Sequence, residues 1–243
     1  MARNYLQKVG LMNLQRRTYY DDDNPWDIPC VYPAIRQLTG QEQTISFNYA
    51  LTFKGDKEET ICHFFTDDYQ FERVWKNPDN YVSMLRKFKA VAAPDFSVSD
   101  DFPTAIKIYN VYRKAWLTRY FQEQGVCMLP TAEWGGEDTL EYAFAGIPKH
   151  SPVCVTAAGI AQNRVEREMF EAGLRELKKQ IDPIKLNVFG TLSKLPESIP
   201  QIMGDTEIVV YLNANIRRLR ESDKKKQLLL NGDSNSNGSV VYE

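Results

Sequence analysis

Residues 90–136 read AVAAPDFSVSD, then DFPTAIKIYNVYRKAWLTRYFQEQG, then VCMLPTAEWGG. Two short apolar runs, AVAA and VCML, are each followed by a proline and a polar segment, and a long helical pattern lies between them. Asp100 or Asp101 is expected to cap that helix. This order predicts strand, loop, helix, strand and loop, the repeating unit of a parallel sheet. Ligands of parallel α/β folds bind at the carboxyl ends of the strands, so a site is predicted after Pro94 and Pro130.

The same unit recurs on both sides of this stretch. Further strands are predicted near residues 26–34, 45–53, 60–65, 152–159, 184–190 and 207–212. Eight strands in all predict an α/β fold with a parallel, TIM-like (β/α) barrel. The first strands lack full crossover helices, so the barrel is expected to be incomplete or irregular there. An open doubly wound sheet is the rival fold, although no GxGxxG or GxxxxGK[ST] motif supports it.

Length and composition set the class of protein. At 243 residues, 43% of them hydrophobic, the chain can bury a sizeable core. We expect an irregular arm at 1–25, a single α/β domain at 26–213 and a basic, then low-complexity polar tail at 214–243. The net charge of −2 predicts no attraction of the whole surface to nucleic acid or anionic lipid. Neither a signal peptide nor an apolar run of bilayer length is evident, so a soluble, cytoplasmic protein without a membrane partner is expected.

The cysteines and the acidic residues near the start bear on metal binding. The four cysteines form no CxxC motif and three lie in apolar runs, so we expect buried, reduced thiols and not zinc ligands. Adjacent carboxylates at residues 21–23 fit either a divalent metal or a solvated acidic turn. The cofactor is therefore undetermined: a divalent metal is compatible with the sequence, and no metal ligand is assigned.

Polar side chains follow five of the predicted strands at the rim where the carboxyl ends meet. The candidate catalytic residues are the carboxylates Asp95, Asp67 and Asp68. The candidate substrate-binding residues are Trp134, Ser97, Glu133, Arg113 and Asn163. Paired carboxylates suit general acid–base catalysis, nucleophilic attack or divalent-metal binding. A tryptophan beside them suits stacking on a sugar or a base.

Each candidate also has a structural alternative. Asp67 and Asp68 precede a predicted helix and could cap it, and Trp134 could close an edge of the core. Arg113 lies among aromatic residues on the long helix, where surface or buried ion pairing is an alternative role. His63 lies inside a predicted strand, which favours a buried structural histidine, and no Ser–His–Asp triad or Cys–His pair can be assembled.

The chain resembles, in a series of segments, an uncharacterised family found in bacteria, phages and integrated mobile elements: HFFTDDYQFERVWKNPDNY, PDFSVSDDFP, YNVYRKAW, YFQEQG, LPTAEW and FAGIPKHSPVCVTAAG. The resemblance covers roughly residues 26–191 and brings no known activity. It implies an intracellular phage or mobile-element context and the importance of the matched positions Asp67, Asp68, Asp95, Arg113 and Trp134. Residues 156–159 depart from the more hydroxyl-rich loop of the family. The strand-end loops are also similar, in pattern only, to those of base-exchange transglycosylases, which use an aspartate nucleophile.

Two classes of function follow. One is a barrel enzyme that acts on a nucleotide or nucleic acid through the rim carboxylates, with Trp134 stacking on the base. Its phosphates would meet the basic run at residues 217–226, which could instead only solubilise the chain end. The other is a non-enzymatic protein that inhibits a host or defence factor, or sequesters a nucleotide. The partners expected are therefore a nucleotide or nucleic acid, or a host protein.

Overall fold

The computed structural model describes Tyr19 and residues 24–35, 38–157, 164–190 and 195–211. The strands are β1 (Gln43–Ser46), β2 (Thr60–His63), β3 (Ala90–Ala92), β4 (Met128–Leu129), β5 (Pro152–Thr156), β6 (Lys185–Phe189) and β7 (Glu207–Tyr211). The helices are α1 (Phe47–Ala50), α2 (Glu72–Lys76), α3 (Asp79–Leu85), α4 (Thr104–Glu123), α5 (Arg164–Gln180) and α6 (Ile199–Met203). Short 3-10 turns at Asp68–Gln70 and Glu137–Thr139 follow β2 and β4. Strands and helices therefore alternate along most of the chain.

The strands form two parallel sheets with sequential order. The first has the order β1-β2-β3-β4 and the second β5-β6-β7. A single parallel bridge between Thr131 and Cys154 links the end of β4 to β5. No hydrogen-bonded ladder joins β7 to β1 among the described residues, so the expected closed barrel is not formed by ladders. The fold is a mixed α/β fold with parallel sheets.

The two faces of these sheets have different neighbours, because side chains alternate along a strand. On one face Cys62, Val91 and Met128 pack with α-helical residues such as Trp116 and Leu117. The second sheet packs in the same way against α5, through Leu186 and Val188. The opposite faces of β2 to β7, with nearby residues, share one further core: Leu38, Ile61, Ala90, Ala92, Cys127, Leu129, Cys154, Phe189 and Tyr211.

The first predicted strand is wrong, and the second is correct only at its start. Residues 26–34 contain no strand, and Pro29 and Pro33 each lack the N–H that a ladder requires. The predicted strand at 45–53 ends at Ser46 as the last residue of β1. The single turn α1 follows, because Phe47 and Ala50, three residues apart, are both buried on one side of it.

The long helix α4 starts at Thr104, after Pro103, without a side-chain cap. The capping expected of Asp100 or Asp101 is therefore absent, and Asp100 lies against Gly135 and Gly136 instead. Much of α4 is buried, and this includes polar residues at helical spacing: Lys107, Asn110, Lys114 and Thr118. Such a buried polar face requires partners at the strand ends that it covers.

Two further expectations concern thiols and membranes. The four cysteines form no disulfide bond, and Cys62, Cys127 and Cys154 are buried whereas Cys30 is partly exposed. Within the described ranges, no helix has the length and apolar character that crossing a bilayer requires.

Candidate active site

The carboxyl ends of β3 and β4 bring two carboxyl groups together. Asp95 follows β3 and is 8% exposed. Glu133 follows β4, and its carboxyl shares a hydrogen bond with that of Asp95. Nearby, Thr131 Oγ1 donates a hydrogen bond to the Ala93 carbonyl, 3.3 Å away, which ties the two strand ends together. The two carboxyls therefore lie on loop positions that directly follow two connected strand ends.

Lys114 on α4 supplies a positive charge beside this pair. Its side chain is buried, and the residue is 5% exposed. Its charge acts on both Asp95 and Glu133. Yet Lys114 Nζ, Asp95 Oδ1 and Glu133 Oε2 are all buried without a hydrogen-bond partner in the described structure. Buried polar atoms are usually satisfied, so three such atoms in one cluster are unusual.

Burial dominates the acid–base properties of the pair. It raises the pKa of Asp95 and, more strongly, that of Glu133. The negative charge of Asp95 raises the pKa of Glu133 further, whereas the Lys114 ammonium opposes the shift of both groups. The two carboxyls are coupled, so they titrate as a unit, and burial together with their mutual repulsion favours a proton on the pair.

Asp68 and Ser97 shape the loop that presents Asp95. The Asp68 carboxylate accepts hydrogen bonds from Ser97 N at 3.1 Å and from Ser97 Oγ at 3.0 Å. Asn110 Nδ2 donates to the Ser97 carbonyl, 2.6 Å away. The charge of Asp68 also helps to raise the pKa of Asp95 and Glu133. Both predicted residues thus lie next to the pair, in positions that hold its loop.

Asp67 and Arg113 lie in other surroundings. Asp67 is exposed and accepts a hydrogen bond from Gln70 Nε2 at 3.0 Å. The Arg113 guanidinium is buried: it donates to Glu72 Oε2 at 2.8 Å and its carbon lies 3.8 Å from the centre of the Phe96 ring. The contacts of Arg113 fit the structural alternative stated for it, and substrate binding by Arg113 stays a prediction. Asp67 makes no side-chain capping hydrogen bond, so the capping expected of it is absent.

A cleft of about 480 Å³ opens beside Glu133. Its lining comes from the ends of β4 and β5, from the loop after β3 and from the start of α5: Ser99, Asp100, Ala132, Glu133, Trp134, Gly135, Thr156, Val165, Glu166, Met169 and Phe170. Trp134 stacks on Phe170 with 5.4 Å between ring centres, and its indole N–H donates to the Met169 carbonyl, 3.2 Å away. Its indole also fills the space over Gly173, so Trp134 both lines the cleft and packs on α5.

The structure thus brings together Asp95, Glu133, Asp68 and Ser97, with Trp134 in the adjoining cleft. Asn163 lies outside the described residues. The residue missed from the sequence is Lys114, the direct neighbour of the predicted Arg113. The spacing of Lys107, Asn110, Lys114 and Thr118 on one helix face was the signal that could have found it.

Two other features bear on catalysis. His63 is buried in β2 and stacks on Phe65, and burial lowers its pKa to about 4. It is therefore neutral at physiological pH. Among the residues that the structure describes, no three His, Cys, Asp or Glu side chains form a group that could hold a metal ion. The Asp95–Glu133 pair has a lysine beside it, which suits proton transfer better than metal ligation.

Comparison with known proteins shows one family and two similar phage proteins. Residues 20–205 match the family described as Domain of unknown function (DUF4417). The Gene 1 protein of Mycobacterium phage D29 is 41% identical over 188 residues, which are 76% of this chain and 67% of that protein. The Gene 1 protein of Mycobacterium phage L5 is 39% identical over 188 residues, 76% of this chain and 79% of that protein. No solved structure matches the chain. The resemblance to an uncharacterised family with phage members is confirmed.

Proposed function

The chain belongs to the DUF4417 family, and we propose that it is an enzyme that uses Asp95 and Glu133 for general acid–base catalysis. The observation that supports this most is the hydrogen-bonded carboxyl pair, buried beside Lys114 and next to a cleft. Perturbed pairs of this kind cluster at functional sites, because burial and mutual charge tune one group as acid and the other as base.

The directions of the pKa shifts support a division of roles between the two carboxyls. Burial and the charge of Asp95 raise the pKa of Glu133, which favours its protonated form, and Glu133 lines the cleft, so it is the proposed general acid. Asp95 is the proposed general base, or a carboxylate nucleophile, since Lys114 favours its ionised form. Lys114 itself is the proposed stabiliser of negative charge that develops on a reacting group. Asp68 and Ser97 position the loop that carries Asp95.

The TIM-like barrel is part of this proposal. The sequential strand order and the Thr131–Cys154 bridge support one continuous sheet of seven strands. Side chains connect its two ends: Tyr211 O–H on β7 donates to Glu42 Oε2, 3.1 Å away, and Glu42 directly precedes β1. Lys185 Nζ on β6 donates to the Leu38 carbonyl, 2.7 Å away. A barrel closed by side chains would place the carboxyl pair at its catalytic face.

Glu42 is well suited to such a closing role. Burial alone would raise the pKa of Glu42, but hydrogen bonds from the Thr39 backbone N–H and hydroxyl, together with Lys89, lower it to about 2. Lys89 Nζ lies 3.3 Å from Glu42 Oε1. An ionised, fully bonded carboxylate of this kind fixes the segment before β1 in one position.

The substrate proposed from the sequence, a nucleotide or nucleic acid, fits the size of the cleft, since ligand pockets span about 300–1,000 Å³. The phage relatives support an intracellular phage or mobile-element context for such an activity. The competing proposal is a binding protein that inhibits a host or defence factor or sequesters a nucleotide. That protein would need no proton exchange at Asp95 or Glu133.

A turnover assay separates the enzyme proposal from the binding-protein proposal. The purified protein would be incubated with a bacterial metabolite extract supplemented with nucleosides, nucleotides and short oligonucleotides, and followed by mass spectrometry. Wild type is expected to consume at least one compound, and Asp95→Asn and Glu133→Gln are expected to consume none. Glu137→Gln is the matched control, because Glu137 is exposed and four residues from Glu133.

The enzyme proposal fails if wild type changes no compound, or if both pair variants change the same compound at the wild-type rate. Recovery of an unchanged nucleotide bound to the protein would favour sequestration. Circular dichroism of each variant would establish that lost turnover does not come from lost folding.

A further inference from the structure

The two residues that directly follow Asp95 are held by α4. Phe96 is 1% exposed, and the guanidinium carbon of Arg113 lies 3.8 Å from the centre of its ring. Asn110 Nδ2 donates a hydrogen bond to the Ser97 carbonyl, 2.6 Å away. Because these contacts lie immediately beyond Asp95, they determine the path of the backbone as it leaves the carboxyl pair.

Arg113 takes part in both of these contacts. Its guanidinium covers Phe96, and its Nη2 donates to Asn110 Oδ1, 2.6 Å away. Asn110 and Arg113 are three residues apart and therefore lie on the same side of α4. The hydrogen bond from Arg113 fixes the orientation of the Asn110 amide, whose Nδ2 is then directed at the Ser97 carbonyl. Arg113 thus touches Phe96 directly and Ser97 through Asn110.

The other arm of the guanidinium reaches the segment after β2. Arg113 Nη1 donates to Glu72 Oε2, 2.8 Å away. Asp68, in the same segment, accepts hydrogen bonds from the backbone N–H and the hydroxyl of Ser97. The contacts therefore form a closed network that runs through Asp68, Ser97, Asn110, Arg113 and Glu72. Such a network makes the loop rigid, since no member can move without breaking a hydrogen bond.

Arg113 itself stays away from the reacting groups. It is 8% exposed, and it is absent from the described residues that line the cleft. The charges that act on both Asp95 and Glu133 are those of Lys114 and Asp68. The contribution of Arg113 to the site is therefore geometric.

We propose that Arg113 is a positioning residue, which holds Asp95 against Glu133 by fixing the loop that contains Phe96 and Ser97. The inference rests on the proposed function of the carboxyl pair and adds a residue that acts on the pair through its neighbours. A lysine cannot take this role. Its ammonium group lacks the planar face and the forked N–H groups with which an arginine reaches three partners at once.

Arg113→Lys tests this with a matched control on the same helix. Arg119→Lys is the control, because the Arg119 guanidinium carbon lies 3.9 Å from the centre of the Tyr32 ring and its Nε lies 3.1 Å from Glu123 Oε1. Each variant loses a contact with an aromatic ring and an arginine–carboxylate contact, so a general loss of stability affects both. Each also keeps the positive charge, so a change at the carboxyl pair reports its geometry.

Carbon-13 NMR of the side-chain carboxyls follows the titration of Asp95 and Glu133 without any substrate. Burial is the largest cause that raises the pKa of both groups in the wild type. A looser loop admits water, so Arg113→Lys is expected to move both titration midpoints towards the ordinary values of 3.8 and 4.5, by at least about 0.5 pH unit. Arg119→Lys is expected to leave both midpoints at their wild-type positions.

A compound that the wild type consumes gives a second readout. Its kcat is expected to fall at least about tenfold in Arg113→Lys, with KM changed less than about threefold, because misplaced groups impair the chemical step more than binding. Asn110→Ala removes the link from Arg113 to Ser97 and leaves the stack on Phe96. It is expected to change both readouts in the same direction, and it replaces Arg113→Lys if that variant does not fold.

Each outcome either supports or overturns the inference. Shifted midpoints in Arg113→Lys with unchanged midpoints in Arg119→Lys support it. Unchanged midpoints in both Arg113→Lys and Asn110→Ala overturn it, and so do equal shifts in Arg113→Lys and Arg119→Lys. A large rise in KM with kcat unchanged in Arg113→Lys would instead assign Arg113 to substrate binding.

The titration separates this inference from the enzyme proposal, because it needs no turnover. A wild type that consumes no compound refutes the enzyme proposal and leaves the positioning result valid. Unchanged midpoints in Arg113→Lys and Asn110→Ala, together with turnover lost in Glu133→Gln, refute the positioning role alone.

Discussion

Replacing Glu133 by glutamine should stabilise this protein, and increasingly so as the pH rises. Burial and the charge of Asp95 raise the pKa of Glu133 well above its ordinary value of 4.5. Above pH 4.5 the folded chain therefore binds a proton that the unfolded chain has released. Stability falls with rising pH wherever the folded state binds more protons. Glutamine is nearly isosteric and does not titrate, so the variant escapes this loss.

The magnitude follows from the linkage between protonation and folding. For each pH unit above 4.5, the wild type loses about 1.4 kcal/mol until its own Glu133 titrates. Above pH 4.5 the variant should therefore gain stability relative to wild type, by at most about 1.4 kcal/mol for each pH unit. For a chain of this length, each kcal/mol corresponds to about 2–4 °C in Tm.

Urea unfolding followed by tryptophan fluorescence at several pH values measures this difference. Glu137→Gln, an exposed position on the same segment, should give a stability curve parallel to that of wild type. Parallel curves for Glu133→Gln as well would refute the reasoning, and so would a difference that shrinks as the pH rises. The new amide can also shift the free energy of unfolding by the same amount at every pH. The test is therefore how the difference between variant and wild type changes with pH.

Three other substitutions test the surroundings of the site. Glu42→Gln should cost about 3 kcal/mol at pH 7, because the folded pKa of about 2 lies below the ordinary 4.5. This loss should fade as the pH falls from 4.5 to about 2, in urea titrations. Gly173→Ala should lower stability by about 1–3 kcal/mol, because the new methyl group would overlap the Trp134 indole. Thermal unfolding measures this loss. Alanine usually stabilises a helix relative to glycine, and such a stabilisation would contradict the packing of Trp134 on Gly173. Asp68→Ala should cost about 1–2 kcal/mol and speed hydrogen exchange at the Ser97 amide, which loses its acceptor.

The location of the site could be predicted from the sequence because it depends on strand order alone. Buried parallel strands are continuous apolar runs, and the prolines after AVAA and VCML mark where they end. Polar residues just beyond those prolines must then share one rim. Asp95 and Glu133 meet for this reason, although they are 38 residues apart.

The structure was needed where the role of a residue depends on how its helix is rotated about its axis, or on partners distant in sequence. Arg113 and Lys114 are neighbours on α4, and the sequence does not say which of them faces the carboxyl pair. Neighbouring residues on a helix point about 100° apart, so the way α4 packs on the sheet determines which of the two faces the pair. The first predicted strand failed for a different reason: its apolar residues are buried, as a strand's would be, but Pro29 and Pro33 cannot join a ladder.

One reason to propose chemistry for the pair is that other hydrogen bonds hold the strand ends and the loop beside it. Thr131 already ties the two strand ends together, and Asp68 and Asn110 already hold the loop around Ser97. A structural ion network would be expected to satisfy its own atoms, since unsatisfied buried charges cost several kcal/mol. Here Lys114 Nζ and one oxygen of each carboxyl lack partners. An arrangement that weakens the folded state and leaves reactive atoms unpaired beside a cleft is the expected signature of a catalytic site. Stabilisation by Glu133→Gln together with loss of turnover would be the combined result that only this explanation predicts.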